Sequence, residues 1–161
     1  MPTHAERRVL PYEPDQLFDL VAAVERYPEF LPWCMGARIR ERSETMIVAD
    51  LMIGFKMFRE RFTSRVTLDR PNYRIDVEYC DGPFKYLNNH WIFEAHPDGC
   101  NLDFFVDFEF RSRLIQKVIE TLFEEAVRRM VSAFEARARV LYDRPGTRAK
   151  PDRVARQPSE T

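Results

Sequence analysis

Residues 112–142 read SRLIQKVIETLFEEAVRRMVSAFEARARVLY, and this stretch decides the fold. Apolar side chains recur at three- and four-residue steps. They run from Leu114, Ile115, Val118 and Ile119 through Leu122, Phe123, Ala126, Val127, Met130 and Val131 to Phe134, Ala138 and Leu141. That spacing lines one side of an α-helix with a wide apolar face. Arg113, Lys117, Glu120, Glu124, Glu125, Arg128, Glu135 and Arg139 fall largely on the other side. No Pro or Gly interrupts the run, Ser112 is placed to cap its start, and Pro145 and Gly146 follow its end. At 1.5 Å per residue the helix is roughly 45 Å long, more than most small domains need. Almost everything before it reads as strand, so the simplest architecture is a curved sheet closing on this helix.

From Met35 to Arg111 the apolar period is two. Ala37 and Ile39 alternate with Arg38 and Arg40, and Ile47, Ala49, Leu51 and Ile53 with Val48, Asp50 and Met52. Phe58, Phe62, Val66 and Leu68 share a face that Glu60 and Ser64 interrupt, opposite Arg59, Arg61 and Arg65. Ile75, Val77 and Tyr79 form the next such row, then Leu87, Asn89, Trp91 and Phe93, then Leu102, Phe104, Val106, Phe108 and Phe110. This is an antiparallel sheet with one face inward and one in water. Turn residues divide it at Arg42-Ser43-Glu44, Gly54, Asp69 to Asn72, Asp81-Gly82-Pro83 and His96 to Gly99. Residues 3–10 supply a seventh strand at the start.

Between the first two strands, Pro14 and Asp15 open an amphipathic helix carrying Leu17, Phe18, Leu20, Val21 and Val24. Pro28 disfavours helical geometry in the residue before it and ends that helix near Tyr27. The stretch Tyr27-Pro28-Glu29-Phe30-Leu31-Pro32-Trp33-Cys34 follows. Its two prolines leave room for one short helical turn, and it is too apolar for an ordinary solvated loop. It reads as a hydrophobic plug on the core or as a lid over a cavity, and a lid is a plug that moves.

Composition bounds the function. Of 161 residues, 45% are hydrophobic and 32% charged, with a formal net charge of −1, which suits one soluble domain and not a general DNA or RNA binder. Cys34, Cys80 and Cys100 are odd in number and lack CxxC spacing, so reduced thiols and a cytoplasmic location are expected. Residues 1–8 contain no apolar core of a secretory signal. The domain is expected to occupy residues 1–142, with 143–161 a disordered, Pro-containing tail.

The order strand, two short helices, six strands, long helix is that of the α+β helix-grip fold, a curved seven-stranded antiparallel sheet around the C-terminal helix. The segment Glu25 to Cys34 resembles the motif found there in coenzyme-Q-binding proteins of the START/polyketide-cyclase superfamily, whose bacterial relatives include ribosome association toxins. Phe62 to Val66, Leu87 to Trp91 with Phe93, Val106 to Phe110, Phe123 to Met130, and Phe134 carry the resemblance through residues 3–142.

The resemblance implies a cavity between sheet and helix that takes ubiquinone or a related lipid, bound as a ligand and not as a catalytic cofactor. Inward Phe and Trp side chains each bury about 150–250 Å² and make an apolar wall plausible on their own account. Candidate wall residues are Trp33, Leu51, Ile53, Phe58, Phe62, Val77, Tyr79, Trp91, Phe93, Phe104, Val106, Leu122, Ala126, Met130 and Phe134. Tyr27, Phe30, Leu31, Pro32 and Trp33 are candidates for a gate or for transient contact with a membrane surface, which would place the protein peripherally at the inner face of the membrane. Along the helix, Leu114 to Phe123 are expected to pack one end and Ala126 to Phe134 to line the space. Glu60, Ser64 and Asn89 are the inward polar candidates.

No HxxxH, HxH or Cys/His pair has metal-ligand spacing, and there is no GxSxG and no phosphate-cradling glycine loop. Cys34 has no base partner in the sequence, so a non-enzymatic carrier or chaperone is expected ahead of a cyclase-like enzyme. The other reading is a ribosome-binding regulator, for which Arg59, Arg61 and Arg65 would form the contact.

Overall fold

The computed structural model describes residues 3–55 and 58–142; the expected tail at 143–161 lies outside the described residues. Strand β1 (Thr3–Leu10) is followed by helix α1 (Pro14–Ala22) and a 3-10 helix (Val24–Glu29). Then come β2 (Cys34–Arg42), β3 (Met46–Phe55), β4 (Phe58–Asp69), β5 (Arg74–Asp81), β6 (Phe84–His96) and β7 (Gly99–Phe110), and finally α2 (Arg113–Tyr142). The seven strands form one antiparallel sheet in the order β1-β7-β6-β5-β4-β3-β2. This is the helix-grip fold that the sequence predicts. The second of the two short helices is 3-10 and not α, because Pro28 lies inside it and cannot donate to the ladder.

Local chemistry fixes the element ends. Glu13 precedes α1, its backbone N–H donating to Gln16 Oε1 at 2.9 Å, with Pro14 in the first turn where no N–H is needed. Ser112 caps α2 as expected, its Oγ accepting the Ile115 N–H at 3.2 Å. Gln116, one turn in, is 9% exposed and accepts the Phe110 N–H at 2.8 Å. It ties the last strand to the helix, and nothing in its spacing marked it for that role.

Register shifts at Cys34/Gly36 and Ile39/Glu41 in β2, Thr63/Ser64 in β4 and Phe84/Tyr86 in β6 bend the sheet. The concave face that results holds α1 at one end and takes α2 along its length. At the α1 end Phe18 packs edge-on to Phe93 at 5.8 Å, with the Arg70 guanidinium over its outer face at 4.3 Å. Tyr142, on the last turn of α2, donates its hydroxyl to the Gln16 carbonyl at 2.9 Å. Ala138, one turn before Tyr142, is fully buried. Only a void of about 20 Å³ remains at this end, the size of one water, rimmed by Glu6, Arg8 and Glu135.

Candidate functional site

The other end of the concave face is open. There the inward rows of β3 to β7 and the 3-10 helix enclose a cavity of about 260 Å³ beneath α2. All the wall residues expected from the sequence line it except two: Trp33, Leu51, Ile53, Phe58, Phe62, Val77, Trp91, Phe104, Val106, Leu122, Ala126, Met130 and Phe134 are in the wall. Tyr79 and Phe93 are not. The Tyr79 hydroxyl accepts the Phe84 N–H at 3.0 Å, which turns its ring against Phe84. Phe93 lies at the closed end under Phe18.

Ala126 to Phe134 line the cavity as expected, but the Leu114 to Phe123 stretch is not a packed end. Ile119, Leu122 and Phe123 line the cavity together with Ala126 and Met130, while the tight packing is at the C-terminal end, where α1 wedges under α2. The position of α1, which the periodicity of α2 alone does not encode, decides this.

Phe84 is an unexpected wall residue and the centre of an aromatic cluster, with Phe62 at 5.5 Å, Phe108 at 5.6 Å and Phe110 at 4.5 Å. The bulge just after it puts Phe84 out of phase with Leu87, Asn89 and Trp91, so strict alternation missed it. Gly82, at φ +145°, carries the preceding turn so close to β4 that a Cβ would lie 2.6 Å from that of Phe62. Phe134 closes the wall toward the packed end, edge-on to Tyr27 at 5.4 Å, Phe30 at 5.1 Å and Trp91 at 5.2 Å.

The Tyr27–Cys34 segment splits by side. Tyr27, Leu31 and Trp33 face the cavity, whereas Phe30 and Pro32 lie in a shallow outer groove with Arg128, Arg129 and Ala133 of α2. Leu31 is 3% exposed, so of the expected gate or membrane-contact residues Phe30 and Pro32 are the ones on the outer side. Glu29 accepts from Arg137 at 2.7 Å, and the Arg137 guanidinium sits 5.3 Å from the Phe30 ring centre, pinning the segment to α2.

Electrostatically the wall is nearly blank. Ser64, Asn89 and Tyr27, with the two indoles, carry its polar side-chain atoms, and no carboxylate, imidazole or amine lines it among the described residues. Tyr27 donates to the Val21 carbonyl, and burial pushes its phenol far above the usual range. Asn89 donates to the Phe105 carbonyl at 2.7 Å and accepts from Trp91 Nε1 at 3.1 Å. Glu60, expected to point inward, is exposed near the start of β4.

Cys34 is buried with its thiol donating to the Gly36 carbonyl at 3.5 Å. Burial pushes it up to about 11, so it is held as an unreactive thiol. All three cysteines are free. Among the described residues no cluster of His, Cys, Asp and Glu could hold a metal ion, and no helix is long and apolar enough to cross a membrane.

On the far face of the sheet, β2 and β4 carry Arg38, Arg40, Arg59, Arg61 and Arg65. Asp50 of β3 lies between these strands, 2% exposed, accepting from Arg40 at 2.8 Å and Thr63 at 2.6 Å. Burial raises the Asp50 pKa, but the hydrogen bonds from Thr63 and Arg40 and the charges of Arg40 and Arg61 outweigh it and hold the carboxyl below its usual value.

Comparisons with known proteins agree with this geometry. A family profile described as "Polyketide cyclase / dehydrase and lipid transport" matches residues 10–135. "Ribosome association toxin RatA" of Rickettsia prowazekii is 40% identical over 135 residues, 82% of this chain and 92% of that protein. "Coenzyme Q-binding protein COQ10 homolog B, mitochondrial" of Xenopus laevis is 35% identical over 146 residues, 88% of this chain and 59% of that protein. The solution structure of an 18 kDa protein from Caulobacter crescentus is 38% identical, with a TM-score of 0.74 over 89% of this chain and 100% of that one. The chain therefore belongs to the polyketide cyclase / dehydrase and lipid transport family, with the helix-grip fold that its final helix and alternating strands predict.

Proposed function

We propose that this protein is a non-enzymatic carrier or chaperone that holds ubiquinone or a related lipid in the cavity between the sheet and α2. The observation that carries the reading is the cavity of about 260 Å³, walled almost wholly by apolar side chains. An apolar cavity of roughly 150 Å³ admits benzene, so this one suits a substituted ring and the first part of its chain. A prenyl unit of five carbons moved from water gains about 4 kcal/mol at about 0.8 kcal/mol per carbon. The name of the Xenopus laevis relative supports the choice of coenzyme Q. A wall without a titratable acid or base at ordinary pH supports carriage over catalysis.

Both tryptophans of the chain, Trp33 and Trp91, are in the wall, so intrinsic fluorescence reports occupancy directly. Adding a short-chain ubiquinone is expected to quench it saturably. A linear response equal to that of free tryptophan would refute binding.

A second reading has its own observation. The five arginines on the far face of β2 and β4 suit an anionic partner, and several relatives are named ribosome association toxins. Co-sedimentation with ribosomal subunits, lost on replacing Arg61 and Arg65 with Ser, would favour it. The two surfaces are on opposite faces of the sheet, so each is testable without the other.

A further inference from the structure

Ser64 and the partly buried Trp33 indole are the polar groups of the cavity wall that no described residue engages, and Ser64 is the more deeply buried. It lies in the middle of β4, 2% exposed, between Ala49 of β3 and Tyr79 of β5. Its hydroxyl has no hydrogen-bond partner among the described residues, although it lines an otherwise apolar space. The other buried hydroxyl of this strand, Thr63, is engaged by Asp50 at 2.6 Å on the far face. Asn89 is engaged at both ends of its amide, and the Tyr27 hydroxyl is bound to the Val21 carbonyl. A hydroxyl that opens onto a cavity without a protein partner has its donor free for a group inside the cavity.

We propose that Ser64 is the polar anchor of the ligand, donating a hydrogen bond to one oxygen carried on an otherwise apolar ring. This rests on the carrier reading and sharpens it. The ring lies against β4, where Phe62 and Val66 flank Ser64 in the wall. The chain runs toward the opening of the cavity, which is too small to enclose a long one. The ligand class follows: a ring bearing a carbonyl or ether oxygen, in preference to a hydrocarbon or to a fatty acid, whose charged carboxylate finds no cation in this wall.

Calorimetric titration of wild type, Ser64→Ala and Ser64→Thr with two probes tests this. One probe is a decyl-substituted ubiquinone and the other is decylbenzene, which has no oxygen. Ser64→Ala is expected to weaken the quinone about five- to tenfold while leaving decylbenzene unchanged or slightly tighter, and Ser64→Thr to keep most of the quinone affinity. Melting temperature is expected to stay level or rise in Ser64→Ala, because no protein partner loses a bond, which separates anchoring from damage to the fold. Equal loss for both probes, or none for the quinone, overturns the anchor while the carrier reading survives. Failure of wild type to bind either probe overturns both.

Discussion

The two ends of the concave sheet lie under the same helix and fill differently. At the end covered by α1 and the C-terminal half of α2, the space left is about 20 Å³. At the other end, where α1 reaches the space only with Val21, it is about 260 Å³. The residues are not more polar at the open end; most are Phe, Leu, Val and Ile. What differs is the number of layers. A straight helix over a bent sheet leaves a gap unless another element is wedged in, and α1 with Phe18 is that wedge at one end only.

Removing the wedge is the most severe test of this contrast. Phe18→Ala is expected to cost about 3–5 kcal/mol of stability, because a side chain 1% exposed leaves a hole that its surroundings cannot collapse into. Chemical denaturation measures it, and a loss under about 1 kcal/mol would mean that the closed end is not tightly packed.

A smaller effect is expected at Asp50, which braces the floor of the open end from outside by joining β3 to Arg40 of β2 and Thr63 of β4. Asp50→Asn is expected to cost about 1–2 kcal/mol near neutral pH. The folded-state pKa of Asp50 is depressed, so its contribution is full above the ordinary value of 3.8 and is lost as pH falls through the lower folded value. The acid limb of the wild-type stability curve should therefore be steeper than that of Asp50→Asn. Parallel limbs would show that the clamp carries no stability.

Smallest is Leu122→Ala. A buried leucine usually costs about 2–5 kcal/mol on truncation, but Leu122 already borders empty space and is only partly buried. Less than about 1 kcal/mol is expected in the same denaturation experiment, and a full core-sized loss would mean that the cavity is filled in solution.

Much of this contrast was legible in the residues. The apolar face of 112–142, the period of two through β2 to β7 and the prolines at 28 and 32 gave the element order, and the inward rows named most of the wall. The misses have physical causes. Phe84 escaped because a bulge reversed its parity, and Tyr79 was turned away by its own hydroxyl, which holds the Phe84 amide. Phe93 obeys the alternation but sits at the filled end. Glu60 has inward parity yet stands near the start of its strand and is exposed. Periodicity says which side chains face inward, not whether they meet. Ala126 to Phe134 line the space as expected, while Ile119 to Phe123, expected to be packed, line it too, so the division between open and packed falls further toward the C-terminus of α2. That division depends on where α1 docks, a contact between parts of the chain more than one hundred residues apart, as in the Tyr142–Gln16 hydrogen bond.

Native mass spectrometry of freshly purified protein, with Ala126→Phe beside it, tests ligand binding most directly. Ala126 lines the cavity from α2, and a ring there occupies the space while leaving the closed end untouched. Wild type is expected to carry an added mass that organic extraction identifies as a quinone or related lipid, and Ala126→Phe to fold and run bare. A bare chain in wild type that also takes up no added ubiquinone would contradict the ligand-carrying role of the cavity.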